Sequence, residues 1–387
     1  MTRKFKISKT VEAIPGEVYS AFSRRLASYT GEVYPLHVGD TWMEPAVGCR
    51  MEDLKVSEHP GMHRYAPPQG IPDLLDALAE RAQTQTGVET SRENVLVAAG
   101  ATGALGAVIG AIVEPGDEFL ILAPYWPLIE GIVRSFHGTP IAVPFMHEEL
   151  VGEEIGATLE PFTSERTVGV YFNTPNNPTG KLIDAPAISR IVEWAKGHGY
   201  WILSDEVYED YVYEGNHTPA RPLAVDQLFS IHSFSKAYGM AGNRCGYVIG
   251  PAGAMRQVRK VSTHTFYSTP TASQLAGLRA MRGGADEWVK TARAQYNDTG
   301  RRAAERLGVS PPQGSTFLFV DVADALDDSG LDGLLGDCAD RGLLVAPGPS
   351  FGPYPHHVRI CFTASPPEVA LRGVNLFSEI LETRRTQ

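Results

Sequence analysis

The sequence predicts an α/β protein: a large domain on a mainly parallel sheet, followed by a smaller α+β domain. Three observations carry this. Short apolar runs at residues 95–98, 119–122, 168–172, 201–204, 229–232 and 247–249 read as strands buried on both faces. Segments with helical spacing lie among them. Towards the C-terminus the texture changes to strand-like runs at 316–320, 343–346 and 358–362, then a closing helix.

The helices rest on periodicity. Ile188, Ile191, Val192 and Ala195 fall at i, i+3, i+4 and i+7, the stripe of an amphipathic helix. Gly197 and Gly199 are expected to end it. Ile71, Leu74, Leu75 and Leu78 repeat the spacing, and Ala370, Val374, Phe377 and Leu381 share one face of the last helix. Strands alternating with helices favour a parallel sheet. A chain of 387 residues is too long for one simple core. The large domain is placed at 45–285 and the small one at 286–387, the texture changing after the charged stretch 279–306. Residues 1–44 are expected to pack with the small domain or a partner subunit.

Composition excludes several classes. A formal net charge of −11 is poorly suited to nucleic acid or anionic membrane surfaces. Cys49, Cys245, Cys338 and Cys361 form no CxxC pair, so reduced thiols in a cytoplasmic protein are expected rather than disulfides or zinc. Residues 1–10 are basic but lack the apolar core of a signal peptide. No stretch reaches the roughly 18 apolar residues of a membrane span. The longest apolar segment, 104–113, suits a buried helix.

Chemistry concentrates at the ends of the predicted strands. Gly100-Ala101-Thr102-Gly103 follows one strand and opens an apolar helical segment. Free N–H groups and the helix dipole at such a place can cradle a phosphate, although an ordinary tight turn fits too. The spacing is not GxGxxG, so a nicotinamide site is unsupported. Asn173-Thr174-Pro175-Asn176-Asn177-Pro178-Thr179-Gly180 makes a rigid turn where open α/β sheets bind ligands. Asp205 and Glu206 leave an apolar strand, with Tyr208 just beyond. A buried carboxylate there needs a partner, which a protonated pyridine nitrogen or a helix N-terminus would supply. Ser233-Phe234-Ser235-Lys236 follows the next strand, and Arg244 sits in Gly242-Asn243-Arg244-Cys245-Gly246. A lysine that works as a nucleophile needs a dry, electropositive pocket, and Arg244 would add to that field while binding phosphate.

As an ordered set these motifs resemble the fold-type I enzymes that use pyridoxal 5'-phosphate (PLP), and within them the class I/II aminotransferases. The likeness spans nearly the whole chain and implies a sheet of the seven-stranded type. It implies that Lys236 carries the cofactor as a Schiff base and shuttles the substrate proton. Asp205 would pair with the pyridine nitrogen, and Asn177 and Tyr208 with the phenolic oxygen. Gly100, Ala101, Thr102, Ser233, Ser235 and Arg244 would hold the phosphate. Trp126, in Pro124-Tyr125-Trp126-Pro127, would stack on the ring. Tyr65, ahead of Pro67-Pro68-Gln69-Gly70, would reach the phosphate of the neighbouring subunit in a homodimer. Arg359 matches the arginine that clamps the substrate α-carboxylate, and Gly39 the glycine whose backbone approaches the substrate.

Two positions depart from the family pattern. Asn243 replaces a bulky apolar residue. Thr102 stands where one aspartate-using subgroup carries a lysine, which argues against a dicarboxylate specialist. His356 and His357 are adjacent and are not expected to share a metal ion. The same lysine, aspartate and phosphate groups also serve PLP-dependent β/γ-eliminating lyases and cyclases, so the reaction stays open between these and transamination. A regulatory PLP-binding protein would bring a DNA-binding module, for which this length leaves no room.

Overall fold

The computed structural model describes residues 5–14, 16, 25–26, 29–146 and 154–386. The expectations for residues 1–44 therefore lie partly outside the described residues. A short strand, β1 (Tyr34–Pro35), comes first. Seven strands then build the main sheet: β2 (Val95–Ala98), β3 (Glu118–Ala123), β4 (Thr139–Pro144), β5 (Thr167–Asn173), β6 (Trp201–Asp205), β7 (Leu228–Ser233) and β8 (Gly246–Ile249). Their order is β2-β8-β7-β6-β5-β3-β4. Only β8 runs against its neighbours, pairing antiparallel with both β2 and β7. The sheet is therefore mainly parallel.

The six predicted runs all form strands, and β4 is the one that sequence pattern does not show. It lies at the edge, has only Pro140 and Val143 buried, and carries two prolines within its apolar run, so it does not read as a proline-free buried strand. The inner strands do, because both faces are covered. Phe119, Ile121 and Ala123 pack with the helix Gly100–Ile112, while Leu120 and Leu122 pack with the helix Ala185–His198. Asp184 caps the latter helix by accepting from the Ala187 N–H at 2.8 Å. The helix runs through Gly197 and stops at Gly199, whose φ of 73° is left-handed.

The charged stretch contains a single long helix, Asp286–Leu307. Its buried face is built from Ala292, Tyr296, Thr299, Gly300, Ala303 and Ala304, small or polar residues that leave a faint hydrophobic period. Beyond it, β9 (Phe317–Asp321), β11 (Ala346–Pro347) and β12 (His357–Cys361) form an antiparallel sheet in the order β11-β12-β9. The predicted run 343–346 is split. Its first half is β10 (Leu343–Leu344), which pairs in parallel with β1, and only Ala346 joins the three-stranded sheet. The N-terminal strand thus belongs with the last third of the chain. The closing helix, Pro367–Arg385, buries the four predicted residues together with Gly373, Ser378 and Ile380. No helix among the described residues is long and apolar enough to cross a membrane.

Candidate active site

The parallel strands end on one edge, where open α/β sheets bind ligands. β5 ends in Asn173, β6 in Asp205 and β7 in Ser233, three residues before Lys236. Because β8 runs the other way, its start brings Arg244 to the same edge. All the predicted site residues except Gly100 and Tyr65 line one cavity of about 310 Å³ there.

One end of the cavity suits an anion. Ala101 and Thr102 lie in the first turn of the Gly100–Ile112 helix. Gly100, although outside the lining, shapes this end: its φ is +71°, and a Cβ would sit 2.5 Å from Arg244 Nη2. The Ser233 hydroxyl accepts from the Ser235 N–H at 3.1 Å and donates to Ser235 Oγ at 2.9 Å. Arg244 is held by donating from Nη1 to the Ala241 carbonyl at 2.8 Å. Two hydroxyls, a helix N-terminus and a guanidinium are a donor set for a phosphate.

The other end presents Asp205, only 3% exposed. Burial pushes its pKa up to about 6, and the hydrogen bond from the Tyr171 hydroxyl to Oδ2, at 2.6 Å, works against that rise. Sequence reading missed Tyr171, which looks like any strand residue until β5 and β6 lie side by side. It also missed the side-chain role of Asn173. That amide donates to the Asp205 carbonyl at 2.8 Å and accepts from the Asn177 N–H at 2.7 Å, locking the Asn-Pro turn to β6.

Lys236 lies between these ends. Burial lowers its pKa; the nearby Asp40 carboxylate opposes this, and Arg359 and Arg244 reinforce it. Its Nζ donates to the Gly39 carbonyl and is 3.8 Å from Asp40 Oδ1. Asp40 is a further residue that the motifs did not single out. Tyr208 is buried beside Phe317, ring edge to face at 5.8 Å, and burial raises its pKa. Arg359, 3% exposed, donates from Nη1 to Asn177 Oδ1 at 3.0 Å and from Nη2 to the His37 carbonyl at 2.6 Å. Its guanidinium carbon lies 4.4 Å from the Phe317 ring centre and 4.7 Å from that of Phe351. Trp126 joins the wall just after β3. Tyr65 stays apart from the cavity, 87% exposed and packed edge-on against Tyr267 at 5.2 Å.

The residues next to Asp205 and Tyr208 point to the rear of the sheet. Glu206 meets His217 Nε2 at 2.9 Å and the Ser204 hydroxyl at 2.7 Å. Glu209 meets His232 Nδ1 at 3.0 Å and Arg81 at 3.3 Å, and Arg81 also pairs with Asp210 at 2.9 Å. This buried ion network holds the turn that carries both cavity-facing groups.

A lysine kept dry between a buried carboxylate and an anion cradle, at the edge of this sheet, defines an enzyme of the fold-type I class. Comparisons narrow it. A family model described as aminotransferase class I and II matches residues 18–374. A probable aspartate/prephenate aminotransferase of Thermus aquaticus is 31% identical over 336 residues, covering 83% of this chain and 85% of the relative. An arginine–pyruvate transaminase of Pseudomonas aeruginosa is 29% identical, covering 83% of each. The structure of a Thermus thermophilus aspartate aminotransferase mutant superposes with a TM-score of 0.90 at 26% identity, over 97% of this chain and all of that one. The chain belongs to the class I and II aminotransferases, and it is a transaminase. The relatives are named for transamination, which favours that reaction over elimination or cyclisation.

Proposed function

We propose that this aminotransferase uses pyridoxal 5'-phosphate bound at Lys236 to move an amino group from an L-α-amino acid to an α-keto acid. The observation that carries this is the placement of the dry Lys236 amine in one cavity, with Asp205 at one end and the Arg244–Ser233–Ser235 cradle at the other. When bound there, the cofactor supplies an electron sink for the carbanion formed at Cα. The protein's own groups do the rest. Gly100, Ala101, Thr102, Ser233, Ser235 and Arg244 hold the phosphate. Asp205 holds positive charge on the ring nitrogen, Trp126 covers the ring, and Asn177 and Tyr208 bond its phenolic oxygen. Arg359 forks the α-carboxylate, with Gly39 beside it, and Lys236 Nζ takes the Cα proton.

Lys236→Ala tests the assignment: the covalent cofactor link, trapped by borohydride reduction and read by peptide mass spectrometry, and keto-acid release should both vanish. A variant that keeps either overturns it. Pyruvate or ammonia released without an acceptor would mark an eliminating enzyme instead. With Thr102 in place of a lysine, a dicarboxylate specialist is not the reading we adopt.

The same reading extends to assembly and location. Exposed Tyr65 serves the phosphate site of a second copy in a homodimer, which a fully active monomer in sedimentation would overturn. Four buried free cysteines suit a reducing cytoplasm. Residues 45–285 form the cofactor domain and 286–387 the small domain. Of residues 1–44, Tyr34–Pro35 joins the latter through β10, whereas Lys9–Glu12 lies against the Leu128–Ser135 helix of the former.

A further inference from the structure

The cavity holds three cations, and the reading above occupies them all. Lys236 takes the cofactor, Arg244 its phosphate and Arg359 the α-carboxylate. Among the described residues of this chain, no other lysine, arginine or histidine lines the cavity. The chain's own wall therefore offers a second substrate carboxylate no counter-charge, and desolvating it there is heavily penalised.

Beyond Asn173, whose amide is engaged with Asp205 and Asn177, and Trp126, which covers the ring, the remaining wall is apolar: Pro127, Leu128, Val207 and Ala241. Leu128 stands out because it serves no core. It opens the helix Leu128–Ser135, whose buried residues are Ile129 and Val133, and it remains 51% exposed while lining the cavity. A leucine held at the mouth of a binding cavity, with no core residue packed over it among the described residues, offers apolar surface to a ligand.

We infer that the side-chain subsite takes a bulky apolar group, a branched aliphatic, thioether or aromatic side chain, and that Leu128 is its specificity-determining residue. This rests on the cofactor and carboxylate assignments above. The aspartate named in several relatives is then a poor substrate here.

The test is the single-turnover half-reaction of the holoenzyme with L-leucine, L-methionine, L-phenylalanine, L-alanine and L-aspartate. The best of the three bulky apolar donors should exceed aspartate by about 100-fold in rate over apparent dissociation constant, the scale at which pockets discriminate side chains. Aspartate as good as that donor overturns the inference. In Leu128→Asn the value for leucine should fall about tenfold and that for alanine, too short to reach residue 128, less than about twofold. An unchanged leucine-to-alanine ratio removes Leu128 from the role. If no amino acid yields a keto acid, the aminotransfer reading fails, and calorimetry still decides the subsite. There, 4-methylvalerate binding at least tenfold tighter than succinate supports it, and the reverse order overturns it.

Discussion

The Tyr171 hydroxyl donates to Asp205 Oδ2 at 2.6 Å across the β5–β6 pair, so the carboxylate at the end of the cavity has a partner before any ligand arrives. Burial still holds its pKa near 6. An ionised Asp205 is what a protonated ring nitrogen needs. Affinity for PLP should therefore fall as pH drops through about 6, read as a fluorescence-titrated Kd in the wild-type chain. Tyr171→Phe removes the bond that opposes burial, so the inflection should move to higher pH. An inflection that stays put would remove Asp205 from that role.

Lys236 should be the readiest nucleophile among the lysines of the apoenzyme, because burial lowers its pKa and leaves more free amine. Asp40 opposes that shift from 3.8 Å. In Asp40→Asn the pH midpoint for acylation of Lys236, followed by peptide mass spectrometry, should move down. A midpoint that moves up would show that Asp40 does not stabilise the protonated amine.

Arg359 is oriented by Asn177 and the His37 carbonyl and stacked against two phenyl rings. Lysine cannot reproduce a planar fork. Arg359→Lys should lower kcat/KM by about 100-fold, in line with the loss of a charge-assisted bidentate pair worth about 1.5–3 kcal/mol per bond. The loss should appear mainly in KM. A variant with wild-type KM would place the α-carboxylate elsewhere.

The rear network sets a pH limit on stability. Burial opposes protonation of His217 and His232, but Glu206 at 2.9 Å and Glu209 at 3.0 Å outweigh it, so both pKa values are raised. Their stabilisation is fully present below the unfolded histidine value of about 6.5 and is lost as pH rises through the folded values. The Tm of the apoenzyme should fall over that range. His232→Asn should lower Tm at pH 6 and flatten the slope above it. An equally steep slope in the variant would exclude His232 as a source.

Much of this protein is legible in one dimension. Trp201–Asp205 and the other inner strands, and the edge strand Val95–Ala98 with all four residues buried, announce themselves because both faces are buried, and continuous apolar runs have few other uses. Lys236, Asp205 and Arg244 could be found because each follows or precedes such a strand among small or turn-forming residues. β4 escaped because prolines interrupt its apolar run, and only Pro140 and Val143 of this edge strand are buried. The helix Asp286–Leu307 escaped because alanine and glycine on its inner face carry little hydrophobic contrast.

By itself the sequence determined the fold class, the succession of inner strands and the chemical types gathered at their ends. These depend on side-chain period and local turn chemistry, which are properties of contiguous residues. Only the tertiary structure decided that Tyr171 answers Asp205, that Asp40 stands beside Lys236, and that His217 and His232 neutralise the glutamates behind the turn. Each of those pairings joins residues on different segments. Its energy depends on distance and burial, and neither exists until the strands are in register.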